Sequence, residues 1–314
     1  MSEGEGQFRR PRLSWTILAG ILIVLLALGA LLWPGHRALP GTRVLLVFDS
    51  SGNRARTVAV YEPLQRFLGS VVDEPLELAV VRTTAEFRDR ISAGADFVFC
   101  PDGLGISLDP KRHVPVAVGR RPAPRNLRPR GVLVYRKTAG LVDSPWLSRG
   151  QATVCGDSVS LTATGMWRRQ GMRDGVPSPS YISCSWGPDP YDHAPVLHAL
   201  RLGGFDYALV RQWDADRFFA DGLLSPLEWG LEIMTVPVPD IVLFAGTSVP
   251  ANIRLAVGDR LSALGRDTSE MFPAAEDLKR GIANLNLAGF NLLLEPDFEL
   301  VRRNFSQDWP QATD

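Results

Sequence analysis

Hydrophobic positions along this chain follow two patterns. From Leu13 to Trp33 they are continuous and no side chain is charged (LSWTILAGILIVLLALGALLW). Beyond Arg43 they come as short apolar runs separated by amphipathic stretches. A helix crossing the bilayer core needs about 20 apolar residues, whereas the apolar region of a cleavable signal is only about 7–15 long. Arg9, Arg10 and Arg12 precede the run and Pro34-Gly35 end it. The positive-inside rule then keeps residues 1–12 in the cytoplasm, makes 13–33 an anchor and exports everything after a linker at 34–41. The expected location is the inner membrane, crossed once, with the body facing the periplasm or the cell exterior. Ala27 and Ala30 offer small residues for cleavage, so a processed signal is the competing reading.

In the exported body the pattern predicts alternating strands and helices. Val44–Phe48 reads as an apolar strand ending at Asp49-Ser50-Ser51. A helix through Tyr61, Leu64 and Leu68 follows, with Pro63 placed near its start, and then a strand at Leu76–Val81. Thr83 and Glu86 form a capping box that opens a helix closed by Gly94. Asp96–Cys100 is the next strand, completing a unit that forms parallel sheet with right-handed crossovers. The arginine- and proline-rich stretch from Gly119 to Gly131 marks a boundary. Beyond it come strands at Val132–Tyr135, Thr153–Cys155, Tyr181–Cys184 and Phe205–Val210, with helices from about Ser160 and over His193–Leu202. Ile233–Val238 and Asp240–Phe244 read as strands where the chain crosses back. Val249–Leu264 and two further amphipathic segments read as helices. The fold class is therefore α/β and two-lobed, with lobe 1 at 42–130 and 238–314 and lobe 2 at 131–237, preceded by one transmembrane helix.

Composition narrows the function. The chain has 314 residues, with 34 basic and 34 acidic side chains. Zero net charge removes the signature of a general nucleic-acid binder. No G-x-S-x-G elbow, H-E-x-x-H pair, Walker loop or G-x-G-x-x-G after a strand is present, so no enzyme, cofactor or metal site is expected. In open α/β sheets ligands bind at the carboxyl ends of strands. That nominates the loops Asp49–Asn53, Cys100–Gly103, Gly156–Thr164 and Ser185–His193. The strand–loop–helix stretch Cys155-Gly156-Asp157-Ser158-Val159-Ser160-Leu161-Thr162-Ala163-Thr164 is the most informative. Hydroxyls of Ser158, Ser160 and Thr162 beside a helix start suit an anion cradle; ordinary capping by Ser158 or Ser160 is the plain alternative.

At these residues the chain resembles the phosphonate/phosphite/phosphate-type periplasmic binding proteins of ABC importers. Tyr61-Glu62-Pro63-Leu64 with Phe67-Leu68 is similar to the family's Y-x-P-L-x-x-Y-L helix, and Asp96-Phe97-Val98-Phe99 to its strand after the second helix. Gly156-Asp157 enters the place of the G-D-P-x-S-T-S-G anion loop, with Ser160 and Thr162 on its two serines. His193, after Asp192, falls on the family's S-H-D/E histidine, and Leu197 to Ala208 follows its A-V-L-N-G-x-V-D-A-A run. The resemblance implies a type II periplasmic-binding-protein fold whose cleft captures a small anion. It implies a partner that is an ABC permease, a sensor kinase or another membrane complex. Leu161 and Ala194 depart from the family at two ligand-contacting positions, which leaves room for an accessory subunit that has lost its ligand.

Four further residues stay open. Cys155 and Cys184 flank one strand–helix–strand unit and can form a disulfide in an oxidising compartment. With Cys100 they can instead be inert core side chains or a soft-ligand site, the last matching arsenite-sensing relatives of the same family. Arg211 ends a strand and either faces the cleft, suited to an oxyanion, or pairs at the surface with Asp214 or Asp216. The five arginines from Arg120 to Arg130 read as a solvated loop, or as a surface that docks a membrane partner or lipid head groups.

Overall fold

The apolar runs become the strands of two separate sheets. The computed structural model describes residues 42–51, 53–122, 130–137, 153–156, 159–161, 180–183, 193–235, 237–264, 275–293 and 295–305. The first sheet contains β1 (Arg43–Phe48), β2 (Leu76–Val81), β3 (Phe97–Pro101), β4 (His113–Arg120), β10 (Ile241–Gly246) and β11 (Gly289–Leu292). Their order is β11-β4-β10-β3-β1-β2, with β2, β1 and β3 parallel and β10 antiparallel between β3 and β4. The second sheet contains β5 (Gly131–Arg136), β6 (Thr153–Gly156), β7 (Ser180–Ser183), β8 (Tyr207–Arg211) and β9 (Trp229–Ile233), in the order β7-β6-β8-β5-β9. It repeats the plan of the first: β7, β6 and β8 are parallel and β5 runs antiparallel between β8 and β9. The chain passes between the sheets twice, after β4 and after β9.

Both faces of the first sheet are covered, which is why its strands read as continuous rather than alternating apolar runs. Leu45, Val47, Phe97, Phe99, Ala117 and Leu243 face one core. It is closed by α1 (Arg54–Val72), α6 (Ala251–Ala263) and α7 (Ala275–Ala283). Leu46, Phe48, Val98, Cys100, Val242 and Phe244 face the other. There α2 (Thr84–Ala93), the short α3 (Asp102–Ile106) and α8 (Glu295–Phe305) supply Phe87, Leu104 and Phe298. Edge-to-face ring pairs join these layers, Tyr61 to Phe99 at 5.9 Å and Phe244 to Phe298 at 5.1 Å between centroids. In the second sheet Val132, Val134, Ala208 and Val210 pack on α4 (Ala194–Arg201) and α5 (Gln212–Ala220).

Local signals hold where they were strong. The Thr83 hydroxyl accepts a hydrogen bond from the Glu86 amide at 3.1 Å, and Gly94 ends α2 with φ 103°. The stripe Ile253, Val257, Leu261 and Leu264 faces the core. Three expectations shift. Pro63 lies in the middle of α1, not near its start. The helix tolerates it because Val60, Tyr61, Leu64, Phe67 and Leu68 anchor the buried face, while α7 approaches so closely that a Cβ on Gly281 would sit 2.9 Å from the Pro63 ring. The strand expected at Ile233–Val238 is instead β9, ending at Ile233. Strands β4 and β11 were not anticipated. Among the described residues no helix is long and apolar enough to cross a membrane. The expected anchor at 13–33 lies outside the described residues.

Candidate functional site

Where the chain crosses between sheets, ionisable side chains that should be in water are buried. Register explains how they meet. Val47 is level with Phe99, Ile241 with Pro101 and Val242 with Val118. The residues just past these positions, Asp49 after β1, Asp102 after β3, Asp240 before β10 and Arg121 after β4, therefore line one edge of the first sheet. From the second sheet come Arg211 at the end of β8, His193 at the N-cap of α4 and the segment Val159-Ser160-Leu161 after β6.

Asp240 is the hub. Its Oδ2 accepts hydrogen bonds from Arg121 Nε at 2.8 Å and Nη2 at 2.6 Å, a two-pronged grip. Its Oδ1 pairs with Arg211 Nη2 at 2.5 Å. Arg121 also donates from Nη1 to the carbonyl oxygens of Leu285 at 2.7 Å and Asn286 at 3.3 Å. His193 Nδ1 accepts the Arg211 backbone N–H at 3.0 Å. Arg121, Arg211, Asp240 and His193 are all buried. Burial alone would raise the Asp240 pKa, but the guanidiniums of Arg121 and Arg211 hold it below the ordinary value, with His193 adding to the effect.

Asp102 differs. Its Oδ1 accepts the backbone N–H of Gly103 at 2.9 Å and of Leu161 at 3.0 Å, the second bond linking the start of α3 to the segment after β6. Its Oδ2 is buried with no hydrogen-bond partner among the described residues. Burial pushes its pKa well up, and the neighbouring Asp240 carboxylate adds to this against the pull of the Leu161 amide, Arg211 and Gly103. Two adjacent carboxyls thus have pKa values driven in opposite directions, an arrangement concentrated at functional sites.

The sequence-nominated residues divide by place. Arg211 and His193 lie together in this cluster, and Ser160 is buried beside Leu161. Arg211 forms a buried ion pair with Asp240. Asp49 is buried at the end of β1, its Oδ1 accepting the Ser51 N–H at 2.8 Å; Ser50 and Ser51 are half-buried. Cys100 is a free, buried thiol in the core, its pKa pushed well up by burial and then by Asp102, and its placement is that of an inert core side chain. Asp157, Ser158, Thr162, Cys184 and Asp192 lie outside the described residues, as does the side chain of Cys155, so the disulfide and three-thiol readings do too. Among the described residues no group of three histidine, cysteine or acidic side chains could hold a metal.

Leu161, which stands where the family has a threonine, is fully buried and packs with Val159 in the core of the first sheet, alongside Cys100, Leu104 and Phe244. Sequence reasoning missed Asp102, Asp240 and Arg121. Asp102 lay within a nominated loop but was passed over. Asp240 opens a strand and so escapes a rule about strand ends. Arg121 was grouped with a solvated arginine run, yet it is buried while Arg120 is half-buried and Arg130 exposed.

No protein-family model and no curated protein matches the sequence. Solved structures do match. A Xanthomonas citri protein bound to ATP is 14% identical with a TM-score of 0.64, over 87% of this chain and 100% of that one. The methylphosphonate complex of PhnD1 from Prochlorococcus marinus is 12% identical with a TM-score of 0.57, over 86% and 98%. The binding protein component of an ABC phosphonate transporter from Pseudomonas aeruginosa is 12% identical with a TM-score of 0.53, over 84% and 88%. Two sheets of like strand order, joined by two crossings, thus give this chain the mixed α/β fold found in binding proteins of the phosphonate type.

Proposed function

We propose that the chain is an extracytoplasmic solute-binding protein, tethered to the inner membrane by residues 13–33, that holds a small oxyanion in a cleft between two lobes built on the two sheets. One observation carries this reading: buried Arg121 and Arg211, one from each sheet, converge on Asp240 where the chain crosses between sheets, with His193 alongside. A guanidinium presents its donors in a planar fork that matches carboxylate, phosphate and phosphonate oxygens. Asp240 keeps both forks aligned, and an oxyanion entering from the cleft takes up the same donors with the hydroxyl of Ser160. The fold likeness to phosphonate binders supports the same class of ligand. Closure of two lobes about their crossing segments is the mechanical consequence. A tethered receptor stays beside one membrane partner, an ABC permease or a sensor kinase.

A second reading has its own support. The burial of Leu161 and Val159 in the first core fills space beside the cluster with the protein's own side chains. That suits an accessory subunit of a membrane complex that keeps the fold without the ligand.

The test is thermal melting of the full chain in detergent with phosphate, phosphite, methylphosphonate and sulfate. A bound anion at one hundred times its Kd should stabilise by about 2.7 kcal/mol, and Arg211→Ala should abolish the effect. No stabilisation by any of the four, with co-purification of a membrane complex, would select the accessory reading instead.

A further inference from the structure

We propose that the chain carries a second ligand site, on the outer edge of the first sheet, that takes a small zwitterion of the α-amino-acid type with an aliphatic side chain. The site is a cavity of about 630 Å³ bounded by β11, the last residue of β4 and the C-terminal half of α6. Small-molecule pockets usually measure about 300–1,000 Å³. None of Arg121, Arg211, Asp240 and His193 lines this cavity, so it is separate from the arginine hub and the inference does not depend on the oxyanion reading.

Local structure gives the cavity walls of three different chemistries. Arg120 ends β4 opposite Gly289, which has no side chain to cover it. Its Nη2 reaches the Ala288 carbonyl only at 3.5 Å, at the limit of a hydrogen bond, so the guanidinium keeps its donors for another partner. Asp259 and Ser262 stand three residues apart on α6 and so share one face of the helix. Asp259 is exposed, and among the described residues its carboxylate pairs neither with Arg120 nor with any other cation. The Ser262 hydroxyl donates to the Asp259 carbonyl at 2.8 Å, which leaves its oxygen as an acceptor. Ala263 brings the last turn of α6, the negative end of the helix dipole, to the same wall. Phe290 and Leu292 alternate along β11 and so lie on one face of the sheet. Phe290 is buried in the core, and Leu292 is 42% exposed. Leu292 can lie against α6 because Gly258 has no side chain: a Cβ there would sit 2.8 Å from Leu292 Cδ1.

A cation and an anion that line one cavity without meeting select a ligand that carries both charges. A carboxylate fits the planar fork of Arg120. An ammonium fits the Asp259 carboxylate, the Ser262 oxygen and the end of the helix dipole. The hydrocarbon between and beyond them covers Leu292 and the edge of Phe290. A simple anion is repelled by Asp259 and a simple cation by Arg120, so each half-charged molecule forfeits one contact and meets one opposing charge.

The experiment is calorimetric titration of the full chain in detergent with leucine and with two half-ligands. Isocaproate lacks the ammonium, and leucinamide lacks the carboxylate. Leucine should bind saturably, and each half-ligand should bind about tenfold more weakly or worse. This comparison is made on the wild type and needs no variant to fold. Arg120→Ala and Asp259→Asn should each weaken leucine binding by a similar factor. Both should melt within about 2 °C of the wild type when unliganded, because neither side chain belongs to a core. The proposal is overturned if the wild type does not bind leucine, or if the half-ligands bind as tightly as leucine, since the two charges are then not read together. Leucine binding that survives both substitutions would place the ligand elsewhere and overturn it equally.

Discussion

Replacing Asp240 with asparagine keeps the shape of the side chain and removes the charge on which two buried guanidiniums converge. In the wild type Arg121 bonds Oδ2 through two nitrogens, at 2.8 and 2.6 Å, and Arg211 pairs with Oδ1 at 2.5 Å. Breaking a buried ion pair by removing one partner costs about 3–5 kcal/mol, chiefly because the other charge stays buried. Arg121 keeps its bonds to the Leu285 and Asn286 carbonyls, and the asparagine oxygen still accepts one bond, so the lower part of that range applies, about 3–4 kcal/mol. For a body of this size that is a melting temperature lower by roughly 6–16 °C. The pH dependence has a definite sign. The Asp240 pKa is held below its ordinary value by the two arginines, against burial. Its contribution is therefore complete above the unfolded carboxyl pKa, near 3.9, and is lost as pH falls through the folded value. Wild type and variant should converge in strong acid. If the cluster is an oxyanion site, sulfate or phosphate should restore the missing negative charge and raise the melting temperature of Asp240→Asn by more than that of the wild type. The assay is thermal melting of both proteins from acid to neutral pH, with and without each anion. A loss below about 1 kcal/mol, together with no extra anion response, would refute the account of this hub as a charge-compensated buried site.

Two further outcomes follow from the packing. Leu161→Ala should destabilise the chain by about 2–5 kcal/mol, because the side chain is fully buried in the first core; a change within about 0.5 kcal/mol would mean that the segment after β6 is not seated there. With Cys155 and Cys184 both replaced by serine, Cys100 should resist alkylation by iodoacetamide at neutral pH until denaturant is added, because burial and the nearby Asp102 disfavour its thiolate. Rapid labelling of the native protein would contradict its placement in the core.

Sequence alone determined what is local. Leu76–Val81 begins and ends as a strand where its apolar pattern does, the Thr83–Glu86 box opens α2, and the spacing of Ile253, Val257, Leu261 and Leu264 gives the buried stripe of α6. Each depends on residues within one or two turns of each other, where hydrophobic period and capping chemistry are decisive. Strands β4 and β11 escaped notice, the first read in part as a boundary because arginines and prolines follow it and the second because only four residues pair. His193 and Arg211 were legible as candidates because each stands at a strand or helix end. Their partners were not. Arg121 and Asp240 are 119 residues apart, and they meet only because β10 inserts antiparallel between β3 and β4 and brings the start of one strand level with the end of another. The same register places Asp102 beside Asp240, where burial raises the pKa of the first and the two arginines lower that of the second. Which buried charges neutralise one another depends on distances of a few ångströms across the sheet, and that information resides in strand order and not in any stretch of sequence.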